Sequence, residues 1–139
     1  MILVTGTAGF IGSHVAEALL AEGEQVFGLD NINDYYDQRL KHARLERLFR
    51  YNGFGFRKLD ISEPDAVLAL ADEMPDISAI VHLAAQAGVR YSIDNPFAYV
   101  RSNVMGQVAM LELARRLRAL RHFVYASSSS VYGGNTKLP

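Results

Sequence analysis

The stretch TGTAGFIG, residues Thr5–Gly12, decides the fold because it joins an apolar strand-like run to a segment of helical periodicity. The run before it is Met1–Thr5, and apolar residues recur at helical spacing over positions 11–19. A phosphate group at such a turn can bind the exposed amides and the positive dipole end of the helix. Gly6 and Gly9 would let a phosphate approach closely, and Gly12 would let the helix pack tightly on the strand. The stretch therefore predicts a phosphate-binding turn at the start of an α/β fold.

An acidic residue, Asp30, ends the second apolar run, Gln25–Asp30. In dinucleotide-binding folds a carboxylate at this place binds the hydroxyls of the adenosine ribose. The glycine spacing is G-x-x-G-x-x-G, whereas the general fingerprint is G-x-G-x-x-G, and both features also occur in ordinary turns. The order strand, glycine loop, helix, strand and acid still predicts a dinucleotide site. NAD is favoured over NADP, because a 2′-phosphate would meet Asp30 and residues 31–33 (Asn-Ile-Asn) offer no cation.

Strand-like and helical stretches alternate along the rest of the chain. We predict strands at 1–5, 25–30, 54–59, 77–84 and 122–126. We predict further helices at about 37–49, after an N-cap at Ser62, and as one long helix over 96–120. This order predicts an α/β fold, a Rossmann-type doubly wound parallel sheet of about five strands, truncated before the substrate lobe. Residues 1–139 are expected to be one NAD-binding domain, the N-terminal part of a longer enzyme.

The composition excludes several classes of protein. The 14 Lys and Arg residues nearly balance the 15 Asp and Glu residues, so the chain lacks the positive charge of a nucleic-acid-binding protein. With no cysteine it has no disulfide, thiolate nucleophile or cysteine zinc site, and its four histidines lack metal-ligand spacing, so we predict no metal. No apolar stretch approaches the roughly 20 residues of a membrane span. With no secretory signal, we expect a cytoplasmic enzyme or ligand-binding domain.

Further candidate residues lie where the predicted strands end, since ligands of open α/β sheets bind beyond the carboxyl ends of the strands. Asp60 could accept a hydrogen bond from an adenine amino group, with Ile61 covering the base. The stretch Leu83–Gln86 follows the fourth strand, and its small residues Ala84 and Ala85 would let the backbone lie beside a cofactor. Simple strand termination is the alternative interpretation of each.

These motifs resemble the extended short-chain dehydrogenase/reductases, the NAD-dependent epimerase/dehydratase family. The matching stretches are TGTAGFIG at Thr5–Gly12, DN at Asp30–Asn31, HLAAQ at His82–Gln86, SNVMG at Ser102–Gly106 and YASSSSVYG at Tyr125–Gly133. Within the family the resemblance is closest to the UDP-glucuronate 4-epimerases, through Leu29–Asp37, His82–Pro96 and Ser127–Pro139. It covers the whole chain but only the front portion of those enzymes.

The resemblance implies that bound NAD takes hydride from C4 of a UDP-sugar and returns it to the opposite face of the 4-keto intermediate. It also implies that Asn103 helps to organise the site and that Ser127 lies near the cofactor. With the residues argued above, the predicted cofactor contacts are Gly6, Gly9, Phe10, Ile11, Gly12, Asp30, Asn31, Asp60, Ile61, Leu83, Ala84, Ala85, Gln86, Asn103 and Ser127.

The resemblance places the reacting hydroxyl four positions before the tyrosine of the V-Y-G segment, Tyr132, which selects Ser128 as catalytic. Ser129 would be a second catalytic contact, and both Ser128 and Arg90 would contact the substrate. Serines after a strand also commonly form turns in which their hydroxyls bond the local backbone. An exposed arginine is commonly just solvated.

The family's Tyr-x-x-x-Lys pair is missing from the chain. None of the seven tyrosines has a lysine four residues later, and Lys137 lies five residues after Tyr132. We expect the pair beyond Pro139 and the chain alone to be inactive. A nucleotide-sugar 4,6-dehydratase is the alternative enzyme, but where it needs acid and base groups the chain has Ser129 and Ser130. A non-catalytic NAD-binding module is the third possibility.

The predicted long helix carries two apolar stripes, which bear on the partner. One stripe, which we expect to lie on the sheet, consists of Val100, Val104, Val108 and Leu111. The other consists of Met110, Leu113, Leu117 and Leu120. We expect the second stripe to meet a neighbouring helix or a second subunit, and the resemblance implies a homodimer through this helix. One broad buried face is the alternative.

Overall fold

Five parallel strands form a single sheet in the structure, a computed structural model that describes residues 1–134. The strands are β1 (Ile2–Thr5), β2 (Val26–Asp30), β3 (Phe54–Lys58), β4 (Ala79–His82) and β5 (His122–Tyr125). Their order across the sheet is β3-β2-β1-β4-β5, so the chain reverses its direction of travel at the central strand β1. This is the doubly wound Rossmann arrangement, and the predicted fold class is confirmed.

Helices cover both faces of the sheet. They are α1 (Phe10–Ala21), α2 (Gln38–Leu48), α3 (Pro64–Glu73), α4 (Tyr91–Asp94), α5 (Pro96–Tyr99) and α6 (Gly106–Arg116), with a π-helical segment at Val100–Met105 and a 3₁₀ turn at Ser129–Tyr132. The apolar residues of α1 and α2 form one core with Val4 and Val26, and those of α3 and α6 form the other with Leu3 and Ile80. The carboxyl edge of the sheet is therefore lined by loops.

Local signals explain most helix ends. The Asp37 side chain caps α2 by accepting from the Arg39 amide at 2.9 Å, and Gly23 follows α1 with a left-handed φ of 85°. The prediction of Ser62 as an N-cap is wrong. Helix α3 begins at Pro64 with Glu63 at the cap position, because the Ser62 hydroxyl donates instead to Asp60 Oδ1 at 2.8 Å.

The fourth strand is shorter than the predicted range 77–84. It ends at His82 because the next two amides, of Leu83 and Ala84, donate to the Thr5 hydroxyl oxygen at 3.1 and 3.0 Å. The backbone therefore leaves the sheet and crosses the end of β1.

The predicted long helix over 96–120 is confirmed as one unbroken helical segment, but it ends earlier than expected. Helical residues run from Pro96 through α5, the π-helical turn Val100–Met105 and α6 to Arg116, and Leu117 takes an extended conformation with ψ 109°. The π-helical turn carries Asn103, whose carboxamide bonds the backbone of Gln86 across the cleft. Such turns are rare and are frequently found at functional sites.

The second stripe of this segment meets the neighbouring helix α3, which was one of the two expectations for it, but it also packs on the sheet, where the first stripe was expected. Met110 and Leu113 are fully buried and Leu117 is 6% exposed, because this arc faces both the sheet and α3. The stripe expected to lie on the sheet is about half exposed in the described chain: Val100 56%, Val104 58%, Val108 51% and Leu111 49%. The outward apolar stripe is therefore the one that starts at Val100.

Two further expectations concern the limits of the chain. The matching stretch Ser127–Pro139 is described only as far as residue 134 and contains the 3₁₀ turn Ser129–Tyr132; Lys137 lies outside the described residues. Within the described part, no helix combines the length and hydrophobicity that crossing a membrane requires.

Candidate dinucleotide-binding site

The glycine loop between β1 and α1 is folded tightly on itself. A Cβ at Gly12 would lie 2.1 Å from the Gly6 carbonyl oxygen, and one at Gly9 would lie 2.9 Å from the same atom. Gly6 itself has a left-handed φ of 71°, and a Cβ there would lie 2.9 Å from the backbone nitrogen of Ala84. The protein's own backbone therefore requires all three glycines before any ligand is considered.

The loop places the N-terminus of α1 at the carboxyl edge of the sheet. Gly9 stands at the cap position, no side chain among residues 1–134 caps the helix, and its first turn has no acidic residue. The amides of a first helical turn have no partner within the helix and carry partial positive charge. This end of α1 is therefore suited to an anionic group.

A cavity of about 160 Å³ lies beside the glycine loop. Its walls include many of the predicted cofactor contacts: Gly6, Gly9, Asp30, Asn31, Asp60, Ile61, Leu83, Ala84, Ala85 and Gln86. A wider depression of about 500 Å³ adjoins it and shares Asn31, Asp60 and Gln86 with it. The sheet topology thus brings together residues that follow β1, β2, β3 and β4.

The remaining predicted contacts lie outside this cavity. Phe10 and Ile11 begin α1 with exposed side chains, whereas Gly12 is buried under Gly6. Arg90 and Ser127–Ser129 are exposed and line neither the cavity nor the adjoining depression. Ser128 Oγ accepts from the Ser130 amide at 3.2 Å, which is the local turn bonding considered as the alternative. The structure therefore does not bring the serines together with Asp30.

Asp30 is 8% exposed and is held by two backbone amides. Its Oδ2 accepts from Ala8 at 3.1 Å, and its Oδ1 accepts from Ile32 at 2.8 Å. Each carboxylate oxygen has two lone-pair directions, so one on each oxygen remains for a further donor. A pair of vicinal hydroxyls is a donor set of the right kind.

A cation that sequence reasoning missed lies close to Asp30, and a second one contacts the glycine loop. The Lys41 ammonium, on α2, is 3.7 Å from Asp30 Oδ1 and donates to Asn33 Oδ1 at 2.8 Å, and the residue is only 5% exposed. Arg44, one turn further along α2, donates to the Ala8 carbonyl at 3.2 Å and to the Tyr36 hydroxyl at 2.8 Å. Residues 31–33 carry no cation, as expected, but α2 brings Lys41 to Asp30 from further along the chain. The i, i+3 spacing of Lys41 and Arg44 places both cations on one face of α2, but the sequence does not show that this face meets Asp30.

Asn31 and Asp60 join the ends of β2 and β3. Asn31 Nδ2 donates to Asp60 Oδ2 at 2.8 Å, and Asp60 Oδ1 accepts from both the amide and the hydroxyl of Ser62. Burial raises the pKa of Asp60, but these hydrogen bonds and the positive charge of Arg101 outweigh it, so the net pKa lies below the ordinary value. Asp60 is therefore an ionised acceptor at neutral pH.

The loop Leu83–Gln86 forms one wall of the cavity and is fixed at both ends. At its start the Thr5 hydroxyl accepts the amides of Leu83 and Ala84. At its end the Asn103 carboxamide accepts from the Gln86 amide at 2.8 Å and donates to the Gln86 carbonyl at 3.0 Å. Both polar groups of Asn103 are thus used on the loop, which makes it a positioning residue.

Aromatic side chains connect the loops on the two sides of the cleft. The Tyr35 ring, which follows β2, lies 5.0 Å from the Tyr91 ring, which follows β4. The Tyr91 ring lies 6.3 Å from that of Tyr99, whose hydroxyl donates to the Ala87 carbonyl at 2.9 Å. Sequence reasoning assigned no part of the site to Tyr35, although it stands in the matching stretch Leu29–Asp37.

Comparison with known proteins places this geometry in a family. A family model described as GDP-mannose 4,6 dehydratase matches residues 3–139. A probable UDP-glucuronate 4-epimerase of Rhizobium meliloti (strain 1021) is 50% identical over 137 residues, which covers 99% of this chain and 40% of the relative. UDP-glucuronate 4-epimerase 3 of Arabidopsis thaliana is 48% identical over 138 residues, which covers 99% and 32% respectively.

A solved structure has the same fold. The crystal structure of UDP-glucuronic acid 4-epimerase from Bacillus cereus, in complex with UDP-glucuronic acid and NAD, superposes with a TM-score of 0.84 at 38% identity. The match covers 98% of this chain and 42% of that chain, so the chain spans about two-fifths of that protein's length. Because the family model matches almost every residue, this chain belongs to the GDP-mannose 4,6 dehydratase family, within the extended short-chain dehydrogenase/reductases.

Proposed function

We propose that this chain is the NAD-binding domain of a nucleotide-sugar 4-epimerase whose substrate is UDP-glucuronate. The observation that carries the proposal is the cavity that joins the N-terminus of α1, Asp30 and the loop Leu83–Gln86 at the carboxyl edge of the sheet. The NAD and UDP-glucuronic acid bound to the similar Bacillus cereus enzyme support the choice of cofactor and substrate.

The residues of the cavity fit the parts of NAD. The uncapped amides of α1 would bind the pyrophosphate, with Phe10, Ile11 and Gly12 in the first turn. The free lone pairs of Asp30 would accept the two ribose hydroxyls, and Asn31 would hold Asp60 beside the adenine, which Ile61 would cover. When bound, NAD supplies the hydride acceptor for oxidation at the sugar C4. The buried carboxylate of Asp30 disfavours a 2′-phosphate, which supports NAD over NADP.

The residues after β5 and β4 would meet the sugar nucleotide. Ser128 Oγ accepts from the Ser130 amide, so its hydroxyl proton is free to be donated to the reacting oxygen, where it would stabilise developing negative charge. Ser129 would be a second contact to the substrate, Ser127 would face the cofactor, and the exposed Arg90 would bind a phosphate or the sugar carboxylate.

The proposal is tested on two proteins. For the 139-residue chain, calorimetry is expected to show NAD binding that is tighter than NADP binding. For the protein translated from the whole reading frame, proton NMR is expected to show UDP-glucuronate converted to its C4 epimer. Ser128→Ala should lower kcat about 10²-fold and leave NAD affinity unchanged. No NAD binding in either protein would reject the proposal.

A 4,6-dehydratase is the second candidate, because the family model carries that description. It is disfavoured because Ser129 and Ser130, next to the proposed catalytic hydroxyl, do not exchange protons near neutral pH. A 4-keto-6-deoxy sugar product in the same NMR assay would establish it instead.

The short chain by itself is expected not to epimerise. It contains no Tyr-x-x-x-Lys pair, and loss of general-base help costs about 10²- to 10⁴-fold in rate. Rapid conversion of UDP-glucuronate by the purified 139-residue chain would contradict this and require another base.

The partner and the location belong to the same proposal. A homodimer is proposed through the exposed stripe Val100, Val104, Val108 and Leu111, which replaces the stripe chosen from the sequence. The cytoplasmic location stays a prediction.

A further inference from the structure

Thr5 and His82 meet at the point where β1 and β4 end side by side. They are Cα partners in the parallel ladder, and Thr5 Oγ1 lies 2.7 Å from His82 Nδ1. Thr5 is fully buried and His82 is 5% exposed. The same Oγ1 accepts the amides of Leu83 and Ala84, the first two residues of the cavity wall. One hydroxyl therefore has three polar partners.

The hydrogen positions follow from counting. A threonine hydroxyl has one proton and two lone-pair directions. The two amides occupy both lone pairs, so the hydroxyl proton must point to His82 Nδ1. That nitrogen must then be unprotonated, with the imidazole neutral and its proton on Nε2. Burial lowers the pKa of His82 to about 4, which agrees with a neutral ring at physiological pH.

The direction of this bond matters for the cleft. If Nδ1 carried a proton, it would compete with the two amides for the lone pairs of Thr5, and the wall would lose one of its bonds. The backbone of this wall is already close to the glycine loop, where a Cβ on Gly6 would lie 2.9 Å from the nitrogen of Ala84. A small movement of Leu83 or Ala84 would therefore change the surface offered to a ligand.

We propose that His82 is a positioning residue for the dinucleotide cleft: its Nδ1 orients the Thr5 hydroxyl, and Thr5 in turn fixes the amides of Leu83 and Ala84. The proposed contacts with NAD and with the sugar nucleotide do not include His82, and no contact of His82 with the substrate is required. The expected consequence for affinity rests on the proposed NAD site, whereas the hydrogen-bond arrangement is independent of it.

The arrangement is tested first without any ligand. In the ¹⁵N-histidine-labelled chain at pH 7, long-range ¹H–¹⁵N NMR is expected to show His82 as the neutral Nε2–H tautomer. Amide exchange at Leu83 and Ala84 should be slow, and it should accelerate about tenfold in Thr5→Val but stay near the native rate in Thr5→Ser, which keeps the hydroxyl. An Nδ1–H tautomer would overturn the proposal, as would native exchange rates in Thr5→Val.

The effect on the cleft is tested with matched variants at His82. In His82→Asn the Oδ1 atom can accept at the Nδ1 position, and in His82→Leu nothing can. Calorimetry is expected to show NAD affinity about tenfold weaker in His82→Leu and in Thr5→Val, and within about threefold of native in His82→Asn and Thr5→Ser. Equal affinities for His82→Leu and His82→Asn would overturn the proposal.

The two His82 variants still test the proposal if Thr5→Val does not fold. If the unmodified chain binds no NAD, the proposed function fails, and the tautomer and the exchange rates still decide the Thr5–His82 arrangement.

Discussion

At the scale of single residues, the cleft depends on side chains whose neighbours are distant in sequence. Asp30 is held by the amides of Ala8 and Ile32, and its charge is offset by Lys41 from the next helix. Breaking a buried ion pair by removing one partner is costly, because the other charge stays buried without compensation. A substitution at Asp30 is therefore expected to affect Lys41 as well.

Replacing Asp30 is expected to change the preference between NAD and NADP. Asp30→Ala removes the ribose acceptor and should weaken NAD binding about tenfold or more, since a hydrogen bond to a charged group contributes about 1.5–3 kcal/mol. NADP binding should weaken much less, because the 2′-phosphate no longer meets a carboxylate and Lys41 becomes free to attract it. Calorimetry with both cofactors measures the ratio, and circular dichroism at the assay temperature checks the fold.

The matched control for this prediction is the double variant Asp30→Ala with Lys41→Met. In this double variant the affinity for NADP should no longer be favoured relative to that for NAD, because the cation has been removed as well. Equal losses of NAD and NADP in Asp30→Ala alone would contradict the assignment of Asp30.

His82 is expected to make stability depend on pH. Its pKa is about 4 in the folded chain, against 6.5 for an unperturbed histidine. Between these values the unfolded chain binds the proton and the native chain does not, so this contribution is complete above pH 6.5 and is lost as pH falls towards 4. The loss is at most about 3 kcal/mol, at 1.36 kcal/mol for each pKa unit.

The effect is measured by urea unfolding of the native chain and of His82→Asn at pH 7, 5.5 and 4.5. The carboxylates titrate in both proteins, so their contribution cancels when the two free energies of unfolding are compared. Native stability should fall relative to the variant as pH decreases. A difference in unfolding free energy that stays constant over this range would contradict the assignment.

At the scale of elements, two loops and one irregular helix build the cleft. The glycine loop is dictated by backbone contacts, the wall Leu83–Gln86 is fixed by Thr5 and Asn103, and the π-helical turn brings Asn103 within reach of Gln86. The walls of the cavity are therefore held by contacts within the chain itself.

A methyl group on Gly12 is expected to disrupt the glycine loop. Gly→Ala within a helix normally stabilises by about 0.5–1 kcal/mol, but here the Cβ would lie 2.1 Å from the Gly6 carbonyl oxygen. Since backbone must move, Gly12→Ala should lower the free energy of unfolding by about 3 kcal/mol, measured by urea denaturation.

Gly134→Ala is the control, because a Cβ there would have no heavy atom within 4 Å. It should change stability by less than about 0.5 kcal/mol. Equal stabilities of the Gly12 and Gly134 variants would show that the loop is looser than the structure describes.

At the scale of the whole molecule, two cores lie on the faces of one sheet, and an apolar stripe outside them is about half exposed in residues 1–134. Leu113 and Leu117 belong to the core shared with α3, whereas Val104 and Val108 are exposed. Glutamate at the two leucines, the substitution that the sequence pattern suggests for testing a dimer, would instead bury charge in the core and unfold the domain.

The oligomer test therefore uses the valines. In the protein translated from the whole reading frame, Val104→Glu with Val108→Glu should shift light scattering from dimer to monomer and leave NAD affinity unchanged. Leu113→Glu is the contrasting variant and should lose cooperative thermal unfolding. An undiminished dimer in the double valine variant would place the interface elsewhere.

Much of the fold and part of the site could be predicted from the chain, because their signals are local. The strand, glycine loop, helix and acid of residues 1–30 stand in the order that a Rossmann fold requires, and alternation of strands and helices leads to the parallel sheet. Strand ends also located Asp60 and Leu83–Gln86 at one edge, since parallel strands all end on the same side.

The tertiary structure alone decided which groups meet. Helical spacing finds two stripes in the segment around α6, but it cannot tell which stripe faces inward until the position of α3 is known. Asp30 and Lys41, Thr5 and His82, and Gln86 and Asn103 are brought together by the packing of helices and strands, so no local pattern reveals their contacts. Sequence by itself determined the sheet and the chemistry at its edge, because backbone propensity and hydrophobic periodicity are evident over short distances along the chain. The hydrogen bonds and charges that hold this edge depend on distances in space, which only the folded chain defines.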